Sequence, residues 1–221
     1  MKLLVNAIAK FICGLMLVGL LIFLPAGSLK YFNGWLLIGV MFVPMLFLGA
    51  ILFFKSPSLL EKRLDVKEKE ESQKAIVALS ALLFLGGFFI SGFDYRFGWS
   101  KVPLWCVITG AVAFLFSYLI YAEVVRENTY LSRIVKVEKD QKIIDHGLYG
   151  IVRHPMYMST VFMFVSVPII LGSWFSLIIF LHYPIIIVVR ILCEEKLLEK
   201  ELSGYKEYKQ KVKYRLIPFI W

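Results

Sequence analysis

Ionisable and aromatic side chains press against long apolar runs at two places in this chain: Gly147 to Tyr157, which reads GLYGIVRHPMY, and Arg190 to Glu195, which reads RILCEE. In the first, Pro155 suits the opening position of a helix, which leaves the amides of Met156, Tyr157 and Met158 pointing back toward the membrane interface. Such an end attracts an anionic group, for instance a carboxylate. Arg153 and His154 add donors, and Tyr149 and Tyr157 offer aromatic faces able to hold a cation. The plain alternative is an ordinary helix start with Arg153 snorkelling to lipid headgroups. In the second stretch Arg190 and Glu194 are four apart on a helix and Glu195 follows, so all three can border one cavity. An ionisable cluster at the inner end of a membrane helix is a functional hypothesis when it faces the bundle, although the interfacial end of a span reads the same way. His182, two turns before Arg190, is either on the same wall or a packing histidine.

The elements that must position these residues are hydrophobic. Of the 221 residues 59% are apolar, and they fall in long uncharged runs, which is the composition of an integral membrane protein. Runs from Phe11 to Leu29, Tyr31 to Phe54, Ala75 to Phe93 and Val102 to Ala122 each approach the ~20 residues a helix needs to cross the hydrocarbon core. A signal peptide is the alternative for the first, since Lys2 and Lys10 precede an apolar core ending in Leu24-Pro25-Ala26-Gly27. The last run, Met156 to Val189, would be about 51 Å long as one helix against a core of roughly 30 Å, so it must break or tilt steeply. Leu171-Gly172-Ser173-Trp174 is the expected turn, with kinks at Pro168 and Pro184. The Lys and Arg side chains divide 22 against 3 in this arrangement, with only Lys30, Arg96 and Lys101 on the minority side. That split puts both termini, and both ends of the final hairpin, in the cytoplasm. It also accounts for the formal charge of +9 without a nucleic-acid partner, for which no recognition motif is present. The expected fold is an all-α integral membrane protein of about six transmembrane helices, the last two forming a helical hairpin, followed by a cytoplasmic C-terminal helix.

Between the spans, Lys55 to Lys74 mixes six bases with five acids and reads as a solvated helical linker serving topology and solubility. Glu123 to His146 partly alternates through Ile134, Val135, Val137 and Ile143-Ile144, which suggests a short strand pair or an interfacial strip. The tail from Lys196 to Lys213 has helical character and could lie across the mouth of the hairpin as a lid. Cys13, Cys106 and Cys193 show no metal-ligand spacing and read as packing residues, a reactive thiol at Cys193 being the alternative.

GLYGIVRHPMY followed by RILCEEKLLEKELSGYKEYKQKVKYRLIPFI resembles the isoprenylcysteine carboxyl methyltransferase family and its relatives, which include phospholipid N-methyltransferases. The likeness spans about Asn128 to Trp221, NTYLSRIVKV included. It departs from the family pattern at Leu148, at Ser159 and in Tyr214-Arg215-Leu216. The resemblance implies S-adenosylmethionine as methyl donor, although no Gly-rich nucleotide loop of the soluble kind is present. It implies a four-helix membrane scaffold over 1–122 and a cofactor-binding region over 123–221. The residues expected to hold the donor are His146, Gly147, Leu148, Tyr149, Arg153, His154, Tyr157 and Glu194. Arg190 and Glu195 are expected to orient the acceptor and the transition state. The acceptor would be a lipophilic or small molecule bearing a carboxylate, amine or thiol, with the lipid bilayer as the other partner and no metal required. A nicotinamide-dependent sterol or steroid reductase shares RHP and YRIIP-like stretches and is the competing enzyme reading. A non-catalytic membrane scaffold or small transporter is the competing reading of another class.

Overall fold

A computed structural model describes residues 1–65, 71–132, 134, 137 and 141–221, with the side chains of 71 and 72 left aside. Val135 and residues 66–70 of the charged loop thus lie outside the described residues. The chain runs α1 (Lys2–Ala26), α2 (Phe32–Lys55), α3 (Pro57–Leu64), α4 (Glu71–Phe97), α5 (Leu104–Glu127), a 3-10 turn (Gly147–Gly150), α6 (Pro155–Leu171), α7 (Trp174–Phe180), α8 (Tyr183–Glu201) and α9 (Tyr205–Lys211).

Among the described residues, five paths are long and apolar enough to cross a membrane: α1, α2, residues Gln73–Phe97 of α4, α5, and α7 with α8 taken together as Trp174–Glu201. α6 is shorter, at 17 residues or roughly 26 Å of rise. The expected break is present at Gly172 and Ser173, while the second arm is itself interrupted at Leu181 and His182 and α8 continues past the apolar run to Glu201. Gly172 adopts φ 73° and ends α6, and a Cβ there would come within 2.8 Å of Asn33 Nδ2. Ser173 then caps the next helix, accepting from the Ser176 amide at 3.0 Å. Pro184 stands near the start of α8, where Leu181 and His182 interrupt the path from α7.

This end of the bundle is tied by a buried acid. Asp94 of α4 accepts from the Ser100 amide and hydroxyl, both at 2.6 Å, and from the Ser173 hydroxyl at 2.5 Å. Ser100 Oγ in turn accepts from the Trp174 amide. Tyr31 donates to the Leu171 carbonyl and stacks on Tyr95 at 4.2 Å. Trp35, Trp99, Trp105 and Trp174 are exposed around the same end, as an aromatic belt at a membrane interface would be.

The core joins α1, α2, α4, α5, α6 and α8 through Ile22, Leu37, Phe88, Phe114, Val167 and Ile191. Outward faces are as apolar as the core: Val5, Ile8, Ile12, Leu20 and Leu24 on α1, and Val112, Phe116 and Leu119 on α5, are all exposed. Such surfaces suit lipid and would be unsustainable in water.

Two connections differ from expectation. α3 is helical, but it is docked rather than solvated. Leu59 and Leu60 are buried against Leu52, Val124, Leu131 and Tyr149. Arg63 donates to the Ser132 carbonyl at 3.3 Å and to the Tyr121 hydroxyl. The apolar pair at 59–60 drives this docking, and the surrounding charges conceal it in the sequence. In the segment from Glu123 to His146, α5 continues to Glu127, and no strand forms among the described residues. Ile134, Ile143 and Ile144 instead line a cleft.

Candidate functional site

The site lies at the end of the bundle opposite Asp94, where the start of α6, the last turns of α8 and the segment after α9 converge. Two backbone bonds fix the convergence: the Arg153 amide donates to the Tyr214 carbonyl and the His154 amide to the Arg215 carbonyl, each at 2.9 Å.

Glu195 sits at the centre, almost fully buried. Its Oε1 accepts from Arg153 Nε at 2.7 Å and lies 3.3 Å from His154 Nε2. Its Oε2 accepts from Arg215 Nε at 3.0 Å, with Lys209 Nζ at 3.8 Å. Arg153 also donates through Nη1 to the Val212 and Lys213 carbonyls. One carboxylate therefore ties α8, the approach to α6 and the C-terminal segment into a single unit. Charges this deeply buried persist only when paired and hydrogen-bonded on all sides.

Glu194 faces the other way. Its Oε2 accepts from the Tyr157 hydroxyl at 2.5 Å, and that hydroxyl accepts from Arg190 Nε at 2.9 Å. The Arg190 guanidinium lies 5.8 Å from the centre of the Tyr157 ring. Adjacent acids on α8 thus clamp two different sets of partners, because consecutive helical side chains diverge by about 100°.

The turn before α6 is shaped by Glu127 at the end of α5. The Leu148 amide donates to both Glu127 oxygens, at 3.1 and 3.3 Å. Gly147 adopts φ 57°, and a Cβ there would fall 1.7 Å from Glu127 Oε1. Only glycine fits both the conformation and the approaching carboxylate. The turn delivers Tyr149, whose hydroxyl accepts from Asn128 Nδ2 at 2.8 Å and whose carbonyl accepts from the Tyr208 hydroxyl at 2.7 Å. Burial holds the Tyr149, Tyr205 and Tyr208 phenols above the ordinary tyrosine range, so all three keep their protons at neutral pH. Asp145, exposed on the loop before the turn, is held below the ordinary carboxylate range by its bond to Lys211 at 2.6 Å.

These groups border an open cleft with about 860 Å³ of free space including its mouth. Its polar lining includes Asn128, Tyr149, Arg153, His154, Tyr157 and Glu194. Its apolar lining includes Leu131 and Ile144, which pack with Tyr149, and Ile143, Leu198 and Leu202, which pack with Tyr205 and Tyr208. Of the residues singled out in the sequence, Tyr149, Arg153, His154, Tyr157 and Glu194 line this cleft. Arg190 reaches it through Tyr157, and Glu195 stands behind Arg153 and His154. His146, Gly147 and Leu148 build the turn; they do not line the cleft, and His146 is exposed. His182 is exposed beside α7, with Nδ1 2.9 Å from the Ile178 carbonyl, and takes no part in the site. Sequence reasoning missed Glu127, Tyr205, Tyr208, Lys209 and Arg215. The Tyr-Lys-Glu-Tyr spacing of i, i+3 was the available signal for the two tyrosines.

Comparison with known proteins bears on the same segment. Residues 104–204 match the family model described as phospholipid methyltransferase. No curated protein matches the chain. Among solved structures, the eukaryotic intramembrane Ras methyltransferase, isoprenylcysteine carboxyl methyltransferase, superposes with a TM-score of 0.58. The match covers 97% of this chain and 77% of that one at 21% identity. This is a likeness of fold. The chain therefore has the fold of an intramembrane methyltransferase, and the stretch matching the phospholipid methyltransferase family carries Tyr149, Arg153, His154, Tyr157, Arg190, Glu194 and Glu195.

Proposed function

We propose that the protein is a membrane-embedded, S-adenosylmethionine-dependent methyltransferase acting on a lipophilic or small acceptor that presents a carboxylate, amine or thiol. The observation that carries this reading is the cleft between α6 and α8, which gathers Tyr149, Arg153, His154, Tyr157 and Glu194 within the family-matched segment. The donor set suits the cofactor. The apolar cluster of Ile143, Leu198 and Leu202 accepts a flat ring, Glu194 accepts from ribose or amine groups, and aromatic faces tolerate a sulfonium. A buried Tyr205 hydroxyl without a partner among the described residues is the kind of orphan a ligand would satisfy. When bound, S-adenosylmethionine supplies a methyl carbon to a lone pair on the acceptor, and the bond to sulfur breaks as the new bond forms, leaving neutral sulfur.

The chain's own contribution is alignment and exclusion of water. Arg190, held by Tyr157, orients the acceptor. Glu195 contributes as a positioning residue, because both its oxygens are engaged in fixing Arg153, His154 and Arg215. The turn of His146, Gly147 and Leu148 sets the height of Tyr149. The division at residues 122 and 123 falls inside α5, so we read it as a division of labour between scaffold and site rather than a structural break. The excess of Lys and Arg in the segments around the site supports a cytoplasmic site with both termini on the same side.

Calorimetry on the purified protein tests the cofactor: binding of S-adenosylmethionine is expected, and binding of reduced nicotinamide in its place would overturn the reading in favour of a reductase. Incubating membranes with a labelled methyl donor then sorts the acceptors. Base-labile label released as methanol marks a methyl ester, and stable label marks nitrogen or sulfur. Binding of neither cofactor is the outcome that favours a non-catalytic membrane scaffold or small transporter.

A further inference from the structure

Tyr205 opens α9, directly after Gly204. Its ring is buried with Leu202, Tyr208 and Val212, and Ile143 and Leu198 pack against the same cluster. Its hydroxyl is buried yet has no hydrogen-bond partner among the described residues. Three other tyrosine hydroxyls of the cleft are engaged: Tyr149 with Asn128, Tyr157 with Glu194 and Arg190, and Tyr208 with the Tyr149 carbonyl. Tyr205 lines the same cleft, packed in one cluster with Ile143, Leu198 and Leu202. An apolar slot with a single unsatisfied polar atom is how a flat heteroaromatic ring is held. The slot covers the ring's faces, and one hydrogen bond reads its edge.

We propose that Tyr205 is the base-reading residue of the site, donating its hydroxyl proton in a hydrogen bond to a ring nitrogen of the purine of the bound nucleoside. This inference rests on the reading that the cleft holds S-adenosylmethionine, and it adds which end of that molecule lies where. The purine lies against Ile143, Leu198 and Leu202 with its edge at Tyr205, and the amino-acid end runs toward His154 and Tyr157. Burial, with smaller contributions from Glu195 and Glu194, holds the phenol above its ordinary range, so Tyr205 donates rather than accepts a proton at neutral pH.

The test uses the full chain in detergent or nanodiscs, with S-adenosylhomocysteine and 5′-methylthioadenosine as probes. Tyr205→Phe removes only the orphaned oxygen. The ligand-free variant should melt at or above the wild-type temperature, because an unsatisfied buried group is lost. Its affinity for both probes should fall, roughly 2- to 13-fold, the range for one neutral hydrogen bond. Equal affinities for variant and wild type overturn the proposal. A penalty seen with S-adenosylhomocysteine but not with 5′-methylthioadenosine overturns it too, because the contact would then be to the amino-acid end. The wild-type protein gives an independent check that needs no variant. Among the 1-, 3- and 7-deaza forms of S-adenosylhomocysteine, one should lose the same factor, and full affinity for all three overturns the proposal. If the wild type binds neither parent probe, the methyl-donor reading fails and this inference fails with it. Binding by the wild type with no change in Tyr205→Phe sinks this inference alone.

Discussion

Replacing Glu195 by Gln separates a residue that holds the site from one that meets the substrate. The variant keeps the size and one acceptor oxygen but removes the charge that balances Arg153, whose side chain is 4% exposed, as is that of Glu195. Arg215 and Lys209 are 28% and 27% exposed, so water compensates much of their loss, and the cost falls on Arg153. Breaking a buried pair by removing one partner costs about 3–5 kcal/mol. In a chain of this length that corresponds to a fall in melting temperature of roughly 6–20 °C. Thermal unfolding in detergent, read by intrinsic fluorescence, measures it. The companion variant Arg153→Met leaves the Val212 and Lys213 carbonyls without their donor, so the double variant will not regain wild-type stability. It should nevertheless be less destabilised than the two single changes added together, by the coupling energy of the pair. An unchanged melting temperature for Glu195→Gln, together with lost turnover, would refute this reasoning and place Glu195 against the acceptor instead.

Other consequences are equally open to measurement. Gly147→Ala forces a Cβ into Glu127 at a positive φ, so it should cost on the order of 1–3 kcal/mol and weaken donor binding by calorimetry. Glu127→Ala removes the collision but leaves the Leu148 amide unpaired, so the double variant recovers only part of the loss. Tyr157→Phe releases Glu194 and Arg190 together and should lower turnover more than donor affinity, which initial-rate kinetics separates from calorimetry. Asp94→Ala strips three donors of their acceptor at the far end of the bundle and should cost at least about 2 kcal/mol while leaving donor affinity unchanged. The folded protein retains the Tyr149, Tyr205 and Tyr208 protons at pH values where the unfolded chain loses them, at about 10. Stability from these groups is therefore complete below pH 10 and declines above it, and Tyr149→Phe should make that decline shallower.

Much of this architecture is legible in local chemistry. Gly172 and Ser173 mark the turn between α6 and α7 because a positive φ and a helix cap are demanded by neighbouring residues alone. The long apolar runs announce spanning helices for the same reason, with boundaries off by a few residues: α1 begins at Lys2 rather than Phe11, since lysines near a helix end reach the interface. The pairing of His154 with the region of Glu195 follows from charge placement and chain length. What stays hidden depends on distant contacts. Nothing near Glu127 signals that it will meet Gly147, and nothing in the charged loop reveals that Leu59 and Leu60 dock beneath Tyr149. Glu194 and Glu195 look equivalent in the sequence, and only the packing of α8 assigns one to Tyr157 and the other to Arg153.

The bonds from the Arg153 and His154 amides to the Tyr214 and Arg215 carbonyls also mean that the membrane helices alone do not finish the site. The Arg153–Glu195 pair joins the approach to α6 to α8, but it is enclosed only where the stretch after α9 lies against the start of α6. Insertion of the helices and closure of the site are therefore separable events. A variant that disturbs only the stretch from Tyr214 to Leu216 would keep its spans in the bilayer and open the buried charge pair to water.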